Sequence, residues 1–431
     1  MKKLIILLIL SIFFNTKVFA VTLYEALNET YKNNTQLNAE RENIKASIED
    51  INISGADYKP SLTLSGSKSL EHTSKLTKQS GGESASISDT HPLTSSIKLE
   101  QTLLDYGRDI THEKNIIGLE LAKAKLLKKE QEVLYSAIDA FTKLILANEK
   151  VSINRRNLNL LIKQVENDKV RLDRGAITTT DLSQSESSLA GAQAQFTQAK
   201  SELMISKLNY ENIIGKILDP KKLKKSAKAI IGFPNNLSKA IELSKQYNPN
   251  IKIAKLELNQ SEKDLEISEA DLKPTAFLSL ERSYTDDLSS TYDRKDKDIL
   301  KATISWPFYS GGKKRSTINK NSNIIFRKRL LLEDVIKTTE TNVGSAWSSL
   351  QSSKSFLNSV ISQVNSAKIA NEGIAAEYER GSRTTLDVIQ SNSLLLSAEI
   401  SLVNSQRNYL ITQYDLLKSI GLLNSQYLKL K

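Results

Sequence analysis

Residues 181–210 read DLSQSESSLAGAQAQFTQAKSELMISKLNY, and residues 387–416 read DVIQSNSLLLSAEISLVNSQRNYLITQYDL. In the first stretch Leu182, Leu189, Phe196, Leu203 and Tyr210 recur every seven positions. In the second Val388, Leu395, Leu402, Tyr409 and Leu416 do the same. The positions three further on are mostly small: Ser185, Ala192, Ala199 and Ser206, then Ser391, Ala398, Ser405, Thr412 and Ser419. A seven-residue alternation of large and small side chains is a coiled-coil seam in which helices approach closely. In the second stretch Ile389, Leu396, Val403, Leu410 and Leu417 add an adjacent apolar stripe. A face that broad contacts neighbours on both sides, which a wall of helices requires and a free two-stranded rod does not.

Each stretch is preceded by a turn and a longer helix. The turns are Arg174-Gly175-Ala176-Ile177-Thr178-Thr179-Thr180-Asp181 and Arg380-Gly381-Ser382-Arg383-Thr384-Thr385-Leu386-Asp387. Gly175 and Gly381 suit a left-handed helix end, and the threonines and aspartates suit the start of the next helix. Capping does not account for Arg383 or Tyr378. The preceding helices are expected over about 106–173 and 313–379, without a proline in either. At ~1.5 Å per residue each would extend roughly 100 Å. Leu144, Val151, Leu158, Val165 and Leu172 keep the seven-residue period, and Leu350, Leu357 and Val364 hold the same phase through Asn371 to Tyr378.

The two hairpins are copies of one plan. Arg174-Gly175 matches Arg380-Gly381, Asp181 matches Asp387 and Gly215 matches Gly421, all 206 apart. Further forward, Asn34 matches Asn248, Ala56 matches Ala270, Pro60 matches Pro274 and Leu64 matches Leu278, all 214 apart. Each half reads helix, strand, loop, strand, long helix, turn, helix. One opening helix is expected over about 23–57 and its counterpart over about 237–272, stopped by Pro60 and Pro274. Alternating segments then predict strands at about 61–70, 94–104, 275–284 and 300–309. Polar loops, Glu71 to Pro92 and Asp286 to Asp298, lie between them. The domain division is therefore a signal segment over 1–20, a first repeat over 21–220, a basic linker over 221–236 and a second repeat over 237–431.

The signal segment has Lys2 and Lys3 at its start, an apolar run from Leu4 to Phe14 too short to span a bilayer, and Val18-Phe19-Ala20 as a cleavage site. Export is expected. No later run is long enough for a transmembrane helix, so a membrane-spanning part must be a β-barrel. Four strands cannot close one, since the smallest membrane barrels have about eight. Several copies must share it; their number is left open by these arguments.

Composition excludes several classes. There is no cysteine, hence no disulfide, thiolate zinc site, thiol nucleophile or lipid attachment at an N-terminal cysteine. The formal charge is +11. Without Lys2, Lys3 and Lys17 it is +8, from 57 basic and 49 acidic residues. Both signs are mixed along the chain, which reads as a solvated helical surface and not a nucleic-acid footprint. The local cluster Lys221, Lys222, Lys224, Lys225 and Lys228 lies in the linker without interleaved aromatics. His72, His91 and His112 lack partners at metal-ligand spacing. Gly81-Gly82 and Gly311-Gly312 lack the flanks of a phosphate loop. No catalytic site, metal site or cofactor is expected.

The order of elements, the duplication and the two turns resemble the TolC-like outer-membrane factor family across the mature chain. The turn from Gly381 to Val388 is especially similar to the family's second periplasmic turn. The resemblance implies a homotrimer with a shared twelve-stranded barrel, four strands per chain, in outer-membrane lipid, and an α-helical tunnel extending through the periplasm. It implies a passive exit duct for efflux or type I secretion. Its partners would be a periplasmic adaptor docking on Arg174, Gly175, Arg380 and Gly381, and an inner-membrane transporter, ABC-type or proton-driven. Family members hold the tunnel closed by links from a tyrosine and an arginine to an aspartate and a glutamine of the neighbouring helix pair. Tyr378, Arg383, Asp181 and Gln164 match those positions. Of the family's two ring aspartates, Asp387 matches the first and Gln390 stands at the second. Two rival readings are a periplasmic adaptor and a secreted coiled-coil filament protein. An adaptor needs one hairpin and several compact β domains; a filament has no use for paired alternating segments at matched places.

Overall fold

The computed structural model describes residues 22–73, 76–77, 83–84, 88–215, 223, 233–288 and 293–430. The expected signal segment, Gly81-Gly82 and the linker lysines from Lys221 to Lys228 lie outside them. The rest of the expected linker is described only at Leu223 and over 233–236.

The first half runs α1 (Leu23–Asn33), α2 (Thr35–Ala56), β1 (Ser61–Lys68), the short strands β2 (Glu71–Thr73), β3 (Leu76–Thr77), β4 (Glu83–Ser84) and β5 (Ser88–Thr90), then β6 (Leu93–Leu104), α3 (Tyr106–Asp173) and α4 (Thr179–Ile214). The second half repeats it: α5 (Leu237–Tyr247), α6 (Pro249–Ala270), β7 (Thr275–Asp286), β8 (Arg294–Ser305), α7 (Lys313–Glu379) and α8 (Thr385–Ile420). The long helices and the duplicated plan are as expected.

Three expectations need correction. The stretch from Glu71 to Pro92, expected as a polar loop, contains the short antiparallel pairs β2–β5 and β3–β4. Each opening helix is two helices, broken at Asn34 and Asn248. Both asparagines are extended, with ψ of 124° and 122°. Each caps the helix that follows: Asn34 Oδ1 accepts from the Gln36 and Leu37 amides, and Asn248 Oδ1 from the Asn250 amide. Each also donates its side-chain amide to the end of its own half's closing helix, Asn34 to Ile213 O and Asn248 to Ser419 O. Pro249 adds a second cause, since it disfavours a helical Asn248 and suits a first helical position. The expected strand over 300–309 lies instead at Arg294–Ser305, and β7 runs on to Asp286. The charged run expected as a loop pairs from Asp286↔Arg294 onward, because alternation of side chains, not their polarity, decides whether a ladder continues. Pro307, which lacks an N–H, follows its other end.

The chain forms two compact units. One comprises residues up to Arg41, Ala124–Ile251 and those from Val335; the other comprises Glu42–Lys123 and Lys252–Asp334. The first unit is helical and holds two matched apolar clusters. Leu23 and Leu27 of α1 pack with Leu134, Ile138 and Phe141 of α3, Tyr210 of α4 and Leu417 of α8. Ala240 of α5 packs with Val343 of α7 and with Leu416 and Ile420 of α8. The second unit carries a four-stranded antiparallel sheet in the order β1-β6-β7-β8 and two short antiparallel pairs, β2 with β5 and β3 with β4. The central pair of the four-stranded sheet, β6 and β7, joins the two halves.

Candidate functional site

The helical hairpins end in two turns of the same construction. In the first, Ala176 N donates to Arg171 O and Gly175 N to Leu172 O, both at 2.8 Å. In the second, Ser382 N donates to Glu377 O at 2.9 Å and Gly381 N to Tyr378 O at 3.0 Å. This is the Schellman end, and it puts Gly175 and Gly381 at φ of 71° and 81°. Nothing lies within 4 Å of where a Cβ would stand at either glycine. Arg174 and Arg380 beside them are exposed.

The next helices begin with reciprocal caps. Thr178 Oγ1 accepts from Asp181 N while Asp181 Oδ2 accepts from Thr178 N; Thr384 and Asp387 do the same. Both aspartate pKa values are held below the ordinary value, first by the threonine backbone N–H and then by its hydroxyl.

Between the hairpins lies a buried polar cluster. The Tyr378 hydroxyl donates to Asp168 Oδ1 at 2.6 Å. Asp168 is fully buried and also accepts from Ser185 Oγ at 2.5 Å and from Gln164 Nε2 at 3.0 and 3.1 Å. Arg171 lies over the Tyr378 ring, 4.2 Å from its centroid, and donates to Tyr378 O at 3.2 Å. Burial, and then the bond to Asp168, raise the Tyr378 pKa. Tyr378 and Gln164 are thus brought together, through Asp168. Asp181 and Asp387 serve their own caps, and Arg383 pairs with Glu377 of its own turn at 2.7 Å in an exposed contact.

The sequence reading missed Asp168. Its signal was present: Ala147, Asn154, Leu161 and Asp168 are spaced by seven and all are buried. A carboxylate on such a seam needs donors, and Tyr378, Ser185 and Gln164 supply them.

The sheet of the second unit has two unlike faces. Leu62, Leu64, Ile97, Leu99, Leu280 and Leu300 share one face by register and are all exposed. The opposite face carries Ser and Thr with a few charges; there Lys98 pairs with Glu100, and Thr94 Oγ1 meets Thr285 Oγ1 at 3.1 Å. At the end where strands meet helices stand exposed Tyr58, Tyr106, Trp306, Phe308 and Tyr309. Trp306 Nε1 donates to Leu272 O at 3.1 Å. Strands β1 and β8 are unpaired on their outer sides among the described residues. No described helix is long and apolar enough to cross a membrane.

A family model described as outer membrane efflux protein matches residues 26–216 and 240–422, one stretch in each half. The chain belongs to the outer membrane efflux protein family. This places it in the outer membrane as a channel protein and not an enzyme. Among relatives of this family it is 26% identical to the outer membrane efflux protein BepC of Brucella suis over 95% of this chain and 87% of that one. It is 21% identical to the alkaline protease secretion protein AprF of Pseudomonas aeruginosa over 96% and 87%. Its fold superposes on the Campylobacter jejuni CmeC outer membrane channel with a TM-score of 0.79, at 14% identity, over 93% and 85% of the two chains.

Proposed function

We propose that the chain is one of three identical subunits of a passive outer-membrane exit duct. It receives its cargo from an energised inner-membrane transporter through a periplasmic adaptor. The observation that carries this reading is the two-faced, open-edged sheet. Its exposed leucine face fits lipid, its hydroxyl-rich face fits a water-filled lumen, and its two free edges are not tolerated in hydrocarbon. Three copies of four strands would close a twelve-stranded barrel, with the exposed aromatics as its interfacial girdle. The adaptor's docking points are the turns at Arg174, Gly175, Arg380 and Gly381. The gate comprises Gln164, Asp181, Tyr378, Arg383 and Asp387, to which the buried Asp168 is added. The names of relatives point to both efflux and protease secretion.

The test is a planar lipid bilayer with purified protein and no cofactor. Discrete channels from a species of three times the chain mass support the reading. Folded, helical protein that never conducts overturns it.

A further inference from the structure

The register places four rows of side chains that cross all four strands on the hydroxyl-rich face of the sheet. In the two rows nearest the β7–β8 tip, Lys295 opposes Thr285, which opposes Thr94, and Lys297 opposes Ser283, which opposes Ser96. Direct partners in a ladder project to the same side, and the contact between the Thr94 and Thr285 hydroxyls shows which side that is. Strand β1 adds Ser67 and Ser65 to these rows. The only charges in them are therefore the two lysines.

Of the other cations in these strands, Lys98, Arg282 and Arg294 are ion-paired, while Lys68 and Lys301 have no carboxylate within ion-pair distance among the described residues. On the leucine face Arg282 pairs with Asp298 and Arg294 with Asp286. On the hydroxyl face Lys98 pairs with Glu100 and directly opposes Glu281. Lys301 shares its row with Glu100, one strand removed through Ser279. Among the described residues neither Lys295 nor Lys297 has a carboxylate partner. Their sequence neighbours Asp296 and Asp298 project to the opposite face. Unpaired ammonium groups at i and i+2 of one strand repel a cation, and the hydroxyls around them can donate to an anion.

We propose that Lys295 and Lys297 form an anion-binding belt at the loop end of the lumen. With two lysines per chain, three copies bring six ammonium groups into one ring of hydroxyls. The class of ligand is a small multivalent oxyanion, free or as the phosphate or sulfate group of a cargo molecule. This rests on the shared-barrel reading. A ring of one sign set in a low-dielectric wall selects by charge, and at about 0.1 M salt its field reaches about 10 Å. The belt favours entry of anionic cargo into the last section of the duct.

The test uses the full-length protein in a planar bilayer at about 0.1 M salt, with inorganic tripolyphosphate added to the loop side. Wild type is expected to be blocked. The K295Q/K297Q variant should need at least about tenfold more tripolyphosphate for half-block. The K295R/K297R variant should retain block, and R282Q/R294Q, which alters the other face, should leave it unchanged. Channels of K295Q/K297Q that block at the wild-type concentration, or wild-type channels that do not block, overturn the belt and leave the duct intact. Folded protein that forms no channel overturns the duct and the belt with it.

Discussion

Replacing Tyr378 with phenylalanine isolates the buried bond between the hairpins. The ring keeps its place under Arg171, and only the hydroxyl is lost, which donates to Asp168 at 2.6 Å and makes a longer contact of 3.3 Å with Thr385 Oγ1. Asp168 keeps Ser185 and Gln164 but is fully buried, so water does not replace the missing donor. A hydrogen bond to a charged acceptor contributes about 1.5–3 kcal/mol. Local opening of the α3–α4 and α7–α8 ends should become easier by that amount, which is roughly a 10- to 150-fold rise in amide exchange. Hydrogen-exchange mass spectrometry on peptides spanning residues 164–190 and 371–392 reads it directly. Asp168→Asn makes the bond neutral, so Tyr378→Phe should cost about 1–1.5 kcal/mol less in that background. Breaking the exposed Arg383–Glu377 pair should cost only ~0.2–1 kcal/mol. The reasoning is refuted if Tyr378→Phe changes exchange less than about twofold, or if its effect depends on Asp181 and not on Asp168.

Three further outcomes are expected. Gly175→Trp with Gly381→Trp should abolish export in cells while the trimer survives in detergent gels, since space is open at both turns; normal export would remove the turns from the docking surface. Gly421→Ala should lower the unfolding midpoint more than Gly215→Ala, although both are left-handed helix ends at φ of 99° and 84°. The second carries only the left-handed penalty of about 1–2 kcal/mol. The first also sets a Cβ 2.4 Å from Tyr247 O, a clash of roughly a further 1–3 kcal/mol. Acid should fray the turns: Asp181 and Asp387 have depressed folded pKa values, so their cap stability is complete above the ordinary 3.8 and lost as pH falls through the folded value. Exchange of residues 178–184 and 384–390 should be unaffected by protonation of these groups between pH 5 and 8 and accelerate below about pH 4; an onset near neutrality would implicate other groups.

Much of the fold was legible because it rests on periods. The seam from Leu182 to Tyr210 and its copy from Val388 to Leu416 follow from spacing by seven alone. The left-handed Gly175 and Gly381 followed from residue type. Boundaries set by a single side chain were less legible. Asn34 breaks a helix because its amide reaches both the next helix start and Ile213, nearly 180 residues on. Lys295 and Lys297 look like loop residues in a charged run, yet their alternation continues a ladder whose partner strand fixes them. At the turns, Asp181 and Tyr378 were recognised one by one. Their pairing depended on which carboxylate is buried, and that is a property of the packed seam.

The buried cluster also shows how a duplicated chain becomes asymmetric. At the 206-residue offset the position of Asp168 is Ile374, and the position of Tyr378 is Leu172. Neither hairpin carries both groups, so neither could make this bond with a copy of itself. One half supplies the acceptor and the other the donor, so the bond forms only between unlike hairpins. A buried polar pair of this kind fixes register and partner choice, as a buried asparagine does in a coiled coil. The second half has its own version, where Asn371 donates to Ser391 Oγ at 3.1 Å and to Asn392 Oδ1 at 2.7 Å within one hairpin. The α7–α8 hairpin is therefore tied internally, while Asp168 ties α3–α4 to its neighbour through Tyr378. If the tunnel opens by parting helices near the turns, the separable contacts include the Tyr378–Asp168 bond, the Arg171 stack and the Arg171 bond to Tyr378 O. The internal Asn371 cluster can stay closed while those contacts break.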